Sequence, residues 1–253
     1  MIGLIKGRFD PLVYQDILYF KELINKDKLK YLYIESISNS FRSNTIIKSM
    51  IKNNNKLKLY NNQYYDRLYN YNCITNIDYY IFDKLNKASI YYIYKYLFYL
   101  DEIVKDILSE YRYLHSLRVA RLCQKLANYY NIDSNKAYVM GLLHDICKEL
   151  DNQKELMLKY DLLNIDKPSA LYHQYLGAIF VRKYFKIYDS KIIKAIKYHT
   201  TGEDLSLYGK ILFISDKIES GRSYNTDKYY LLVYNNINGC YRLVLNDINA
   251  RLE

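Results

Sequence analysis

The chain holds four histidines, His115, His144, His173 and His199, at intervals of 29, 29 and 26 residues, all inside one window of 85 residues. His144 is followed at once by Asp145, and Asp216 lies 17 residues beyond His199. Imidazole nitrogen and carboxylate oxygen together suit first-row metals such as Fe, Mn, Co, Ni or Zn. One histidine on an apolar helix face is ordinarily a satisfied core residue. Four at near-regular intervals, one beside an aspartate, match a helical bundle that draws one ligand from each helix. Neighbouring helix positions point about 100° apart, so His144 and Asp145 cannot aim the same way, yet they can flank one site. Two ions about 3.5–4 Å apart serve phosphoryl hydrolysis by polarising a phosphoryl oxygen and acidifying water.

For these side chains to meet, helices must carry them. From about residue 101 onward the pattern is helical almost throughout. Leu114, Leu117, Leu122 and Leu126 mark one face of a helix that ends around NYYNID. Asp133, with Ser134 beside it, is the expected N-cap of a helix running through SNKAYVMGLLHDICKEL, which carries the His-Asp pair. Further helices are predicted over 152–160, 170–186, 189–198 (capped by Asp189 or Ser190), 206–219 and 226–250. Residues 1–35 read instead as strand, helix, strand: IGLI, a turn at GRFDP, DILYFKELI, then LKYLYIE. Residues 36–78 are polar and Asn-rich with few periodic signals, and are expected to be connection. ASIYYIYKYLFYL, 88–100, reads as a helix bridging into the next part. The predicted class is mostly α, with a small α/β segment in front.

Composition sets the frame. Of 253 residues, 50% are hydrophobic and 16% aromatic, enough for a buried core and against global disorder. No run of eighteen apolar residues occurs, so no ordinary membrane-spanning helix is expected. The opening MIGLIKGRFD lacks an apolar h-region, so no secretory signal is expected. Cys73, Cys123, Cys147 and Cys240 form no CxxC pair and read as free thiols in a reducing cytoplasm. The net charge is +10, and residues 1–100 hold 15 Lys and Arg against 8 Asp and Glu. A basic surface attracts nucleic acid or polyphosphates. Codon drift in an AT-rich genome explains the same count, along with 33 Tyr, no Trp and 2 Pro. No RNA-recognition, zinc-finger or helix-turn-helix pattern supports nucleic acid, which stays open only through the basic N-terminal segment. The tyrosine-rich stretch 88–100 leaves a homodimer open.

YLHSLRVA, GLLHDICKEL, LYHQYLGA, IKYHTTG and ISDKIESGR, in that order, resemble the HD-domain superfamily. They resemble most closely its symmetrical bis(5'-nucleosyl)-tetraphosphatases, over about residues 110–250. A bare His-Asp pair is a weak signal; the ordered set with HTTG and the trailing Gly-Arg is specific. The resemblance implies an all-α HD-domain helical bundle over 100–253 and a metal centre of one or two ions, usually iron. It implies cleavage of a dinucleoside polyphosphate, diadenosine tetraphosphate, into two ADP. By the same resemblance His115, His144, Asp145 and Asp216 ligate the first metal, with Asp145 bridging. His173 and His199 hold a second metal or contact nucleotide phosphates. Thr200, Thr201 and Gly202 form the turn beside the substrate, and Arg222 contacts phosphate. Lys217 joins the nucleotide-binding set, although it and Ser220 stand where the family more often has an aromatic or small residue and a proline. Lys148, expected on the helix face of the His-Asp pair, joins Asp145 in the catalytic set by neutralising phosphate charge; an ordinary surface lysine is the other reading. Gly177 is expected to allow close helix packing. Cys147 reads as a small buried hydrophobe rather than a ligand.

IGLIKGRFDPLVYQD is similar to the opening of nicotinate-nucleotide adenylyltransferases, roughly GLFGGTFDPxHxGH. Gly7, Phe9, Asp10 and Pro11 are kept, but the HxGH stretch is Val13-Tyr14-Gln15-Asp16. Those histidines help stabilise phosphate charge, so their replacement argues against adenylyl transfer. SNTIIK, Ser43 to Lys48, echoes the family's SSTxIR. Residues 1–90 therefore read as a degenerate, truncated nucleotidyltransferase-like remnant, too short for a complete nucleotide-binding sheet. Two alternatives stay beside the tetraphosphatase reading: an HD phosphohydrolase acting on another nucleotide, such as an alarmone, and a metal-binding regulatory module that contacts RNA.

Overall fold

The computed structural model describes residues 1–38, 40–71, 79–162 and 167–252. The chain divides into two compact units, Met1–Tyr99 and Leu100–Glu253.

In the first unit, strand β1 (Ile2–Gly7) leads through helix α1 (Tyr14–Lys26) to β2 (Tyr31–Ser36). Helix α2 (Phe41–Ile51), β3 (Leu57–Leu59), β4 (Arg67–Tyr71) and, after a 3-10 turn, α3 (Lys87–Tyr96) follow. The four strands are all parallel, in the order β3-β2-β1-β4. Leu4 and Ile5, adjacent in β1, are both fully buried. A central parallel strand is covered on both faces, which is why IGLI reads as a continuous apolar run. Asp16 holds one of the replaced histidine positions; it is buried, and its carboxylate accepts the Val13 N–H at 2.9 Å, closing the first turn of α1. Asp10 accepts from Arg42 at 2.9 Å and from the Tyr99 hydroxyl at 2.5 Å.

Residues 36–78, expected to be connection, contain α2, β3 and β4. Two causes hide them. The three-residue β3 and the edge strand β4 bury little, so neither needs an apolar run. Helix α2 buries only a short stripe, Ile46, Ile47, Met50 and Ile51, within a polar sequence. The helix expected over 88–100 ends at Tyr96, because Leu97 and Tyr99 adopt left-handed backbone (φ 55° and 63°). Cys73 lies outside the described residues.

The second unit is all helix and turn among the described residues: α4 (Leu100–Ile107), α5 (Glu110–Tyr129), α6 (Ser134–Leu143), α7 (Gln153–Lys159), α8 (Tyr172–Lys183), α9 (Ser190–Lys197), α10 (Leu207–Ile218), α11 (Asp227–Asn235) and α12 (Ile237–Leu252). The chain is thus mostly α, a helical bundle preceded by a small α/β segment. Asp133 caps α6 by accepting from the N–H groups of Asn135 and Lys136; Asp189 caps α9 and Ser206 caps α10. Leu114 does not share the inner face of α5: it is 41% exposed, and the buried stripe runs through His115, Ser116, Val119, Ala120, Cys123 and Leu126.

Two expected helices are broken. The one predicted through residue 150 stops at Leu143 and passes into i→i+3 turns, Ile146 N–H to Leu143 O and Lys148 N–H to Asp145 O. His144, Asp145, Ile146 and Cys147 are all buried in succession, which one stripe of a surface helix cannot do. The helix predicted over 226–250 breaks at Asn236, which leaves helical backbone and accepts the Gly239 N–H at 2.8 Å, capping α12. Cys123, Cys147 and Cys240 are free and buried, and no described helix is long and apolar enough to cross a membrane.

Candidate metal centre

Five segments of the second unit deliver the ligand types. His115 sits in the first turns of α5, and His144 and Asp145 stand where α6 ends. His173 opens α8, His199 follows α9, and Asp216 lies in the last turn of α10. All six are between 0 and 6% exposed. The approach of α5 and α6 depends on Gly141, where an added Cβ would lie 2.6 Å from Ala120 Cα. At Gly177 of α8 an added Cβ would meet Ile196 of α9 at 3.3 Å, so this glycine does sit at a close helix contact.

The six side chains meet. His115 Nε2 lies 3.1 Å from Asp216 Oδ1, and His144 Nε2 lies 3.7 Å from the same oxygen. Asp145 faces two ways: Oδ2 is 3.7 Å from His144 Nε2, while Oδ1 is 3.3 Å from both His173 Nε2 and His199 Nε2. Two overlapping triads therefore have the spacing to hold an ion, His115–His144–Asp216 and His144–Asp145–His199.

The far sides of the rings fix their direction. His144 Nδ1 lies 2.7 Å from Gly141 O, and His199 Nδ1 lies 2.8 Å from Ile196 O. A carbonyl only accepts, so the proton is on Nδ1 and the Nε2 lone pair faces the cluster. His144 Nε2 is buried with no hydrogen-bond partner. Such an orphan costs about 1–3 kcal/mol unless something satisfies it, and a cation is what this donor set fits. Burial holds His144 near 4 and, with His199 beside it, His173 near 3, so both rings are neutral at pH 7. Burial opposes ionisation of Asp145 and Asp216. For Asp145 the attraction of His144 once that ring is protonated at low pH, and the contact with His199, outweigh it; for Asp216 Lys217 and His115 do, and both carboxyls stay well below their usual range. Burial also lowers His115, but its hydrogen bonds to Asp216 and Glu219 prevail and raise it.

The remaining predicted residues are distributed around the cluster. Lys148 is not on a helix face with the His-Asp pair, since the helix has ended; its Nζ lies 3.2 Å from both ring nitrogens of His173. Burial lowers its pKa. Thr200 Oγ1 lies 3.3 Å from His173 Nε2 and 3.1 Å from His199 Nε2. Thr201 Oγ1 is buried without a hydrogen-bond partner. Gly202 has φ +76°, a conformation that favours glycine, and its carbonyl accepts from the Tyr241 hydroxyl at 2.8 Å. Arg222 and Lys217 both rest on Asp216, at 2.9 Å to Oδ1 and 2.5 Å to Oδ2. Cys147 is fully buried and belongs to neither triad.

Sequence reasoning missed four residues. Glu219 is 2% exposed and contacts His115 Nδ1 at 3.1 Å; Arg118 donates to Glu219; Arg112 lies 3.6 Å from Asp145; Gln174 accepts the Thr200 N–H at 3.1 Å. Two of these carried a signal: Arg118 is three residues past His115, and Glu219 three past Asp216, each one helical turn away.

A helical unit in which a His, a His-Asp pair and a distant Asp converge from separate helices defines the HD class. The HD domain family matches residues 112–221. Over 126 residues the chain is 38% identical to a symmetrical bis(5'-nucleosyl)-tetraphosphatase of Staphylococcus aureus, covering 48% of this chain and 65% of that protein. It is 34% identical to a protein of the same description from Halalkalibacterium halodurans, covering 49% of this chain and 68% of that one. A probable nicotinate-nucleotide adenylyltransferase/Ap4A hydrolase of Mycoplasma genitalium is 33% identical over 127 residues, 36% of its length. The chain thus spans just under two thirds of the Staphylococcus relative and about a third of the Mycoplasma one. The chain belongs to the symmetrical bis(5'-nucleosyl)-tetraphosphatase family of HD-domain proteins.

Proposed function

We propose that this chain hydrolyses diadenosine tetraphosphate symmetrically, to two ADP, at the centre built by His115, His144, Asp145, His173, His199 and Asp216. The observation that carries the reading is Asp145. Its two oxygens face different imidazoles, Oδ2 toward His144 and Oδ1 toward His173 and His199, so with those rings it would hold a metal ion and supply it with negative charge. The reading assigns residues 100–253 to a metal-dependent phosphohydrolase and residues 1–90 to a degenerate nucleotidyltransferase-like remnant in a cytoplasmic protein. Iron is the proposed metal, in one or two ions.

When bound, the metal supplies Lewis acidity toward a phosphoryl oxygen and toward water. The chain's own residues do the rest. The Nδ1 bonds to Gly141 and Ile196 keep the His144 and His199 lone pairs inward without reorganisation. Lys148 and Arg222 offset charge on the phosphoryl oxygens as it develops. Arg222 and Lys217 stay 30% and 19% exposed, so donors not spent on Asp216 remain within reach of phosphates. Thr200, Thr201 and Gly202 border the substrate beside His173 and His199. ADP is already a competent leaving group, so no strong general acid is required.

Product identification across a nucleotide panel tests the substrate. ADP alone from diadenosine tetraphosphate supports the reading. AMP with ATP, or faster turnover of an alarmone, moves the chain to a different HD phosphohydrolase activity.

A further inference from the structure

We infer that Glu219 is a positioning residue for the metal centre, acting through His115. The inference rests on the metal-binding reading above and deepens it.

The four imidazoles are not held alike. His144 and His199 direct Nδ1 at backbone carbonyls, Gly141 O and Ile196 O, and the ring nitrogens of His173 lie against the Lys148 ammonium. His115 alone among them sets Nδ1 against a carboxylate, Glu219 Oε1, at 3.1 Å, while its Nε2 faces Asp216. A carboxylate acceptor both orients an imidazole and makes its other nitrogen a stronger metal donor than a carbonyl acceptor does.

A carboxylate this deeply buried stays ionised only with partners. Glu219 has them on its second oxygen: Oε2 accepts the Gly221 N–H at 2.6 Å and an N–H of Arg118. Arg118 stands one turn beyond His115 on α5, so ligand and clamp come from one helix. Glu219 ends α10, one turn beyond Asp216, so ligand and orienting carboxylate also come from one helix. Two i,i+3 pairs thus lock together across α5 and α10. Gly221 makes room for this: a Cβ there would collide with the Arg118 guanidinium.

The test titrates the metal-free full chain with Co²⁺, following its visible absorption and measuring the dissociation constant by chelator competition. Glu219→Ala is expected to weaken Co²⁺ binding by roughly 10–100-fold. Glu219→Gln keeps an oxygen but loses the charge; it is expected to weaken binding less and to alter the absorption band. Asp247→Asn, which removes a carboxylate bound to Lys228 and Tyr229, is the control: it lowers the melting temperature and leaves Co²⁺ affinity unchanged. A merely structural Glu219 would behave like that control. Parent-like affinity in both Glu219 variants overturns the inference while the metal centre stands. If Glu219→Ala does not fold, parent-like affinity in Glu219→Gln alone overturns it. A parent chain that binds no Co²⁺ defeats the metal centre itself, and this inference with it.

Discussion

His144 belongs to both clusters of side chains, and Asp145 faces His144, His173 and His199, which makes these two the most sensitive positions. His144→Ala or Asp145→Ala is expected to lower turnover of diadenosine tetraphosphate by about 10³-fold or more, since Lewis-acid stabilisation is worth several kcal/mol. Far-UV circular dichroism should stay helical. Titration gives a second expectation, for the metal-free protein. His144 near 4 and His173 near 3 stay neutral in the fold, whereas in the unfolded chain they take up protons from about 6.5 downward. The unfolded state then binds more protons, so their contribution is lost as pH falls below 6.5. Glu219, held near 2 by His115 and Arg118 against its burial, adds a loss as pH falls below its ordinary 4.5. His115 is raised and works the other way, contributing stability below its unfolded value. Two lowered histidines against one raised one predict a melting temperature lower at pH 5 than at pH 7.5, by roughly 5 °C. A melting temperature that rises on acidification contradicts this.

At the scale of elements, the α5–α6 contact brings His115 toward His144. Gly141→Ala places a methyl against the α5 backbone at Ala120, which cannot swing aside as a side chain could. Such overpacking is expected to cost about 1–3 kcal/mol, or roughly 3–9 °C in melting temperature, and to weaken metal binding by parting the two rings. Thermal melts of the metal-free and loaded protein check both. Legibility in the sequence also divides by element. Caps at Asp133 and Asp189 were readable because a side chain in a fixed place does a local job. The six clustered side chains were readable for the same reason: chemistry resides in residue identity, and the structure brings those six together. The end of α6 was not, because no Gly or Pro marks it and only tertiary burial of His144 to Cys147 breaks the helix. Helix α2 and strands β3 and β4 were hidden by their small apolar content. Glu219 was hidden because an orienting carboxylate looks like any acidic residue until His115 is placed beside it.

At the scale of the whole molecule, every side chain of the two clusters that could hold a metal comes from the second unit, while the first unit keeps a parallel sheet without the HxGH histidines. Asp16, at one of those positions, serves as a helix cap. The full chain is therefore expected to form no dinucleotide from nicotinate mononucleotide and ATP, a reaction followed by chromatography of the products. On the proposed reading, hydrolysis depends on an ion caged by side chains from five segments. That dependence is tested most directly by elemental analysis of the purified chain, paired with diadenosine tetraphosphate hydrolysis before and after chelator stripping and Fe²⁺ reloading. One or two ions per chain are expected, with activity that vanishes on stripping and returns in proportion to the metal restored. Undiminished hydrolysis by protein with no measurable metal would contradict it.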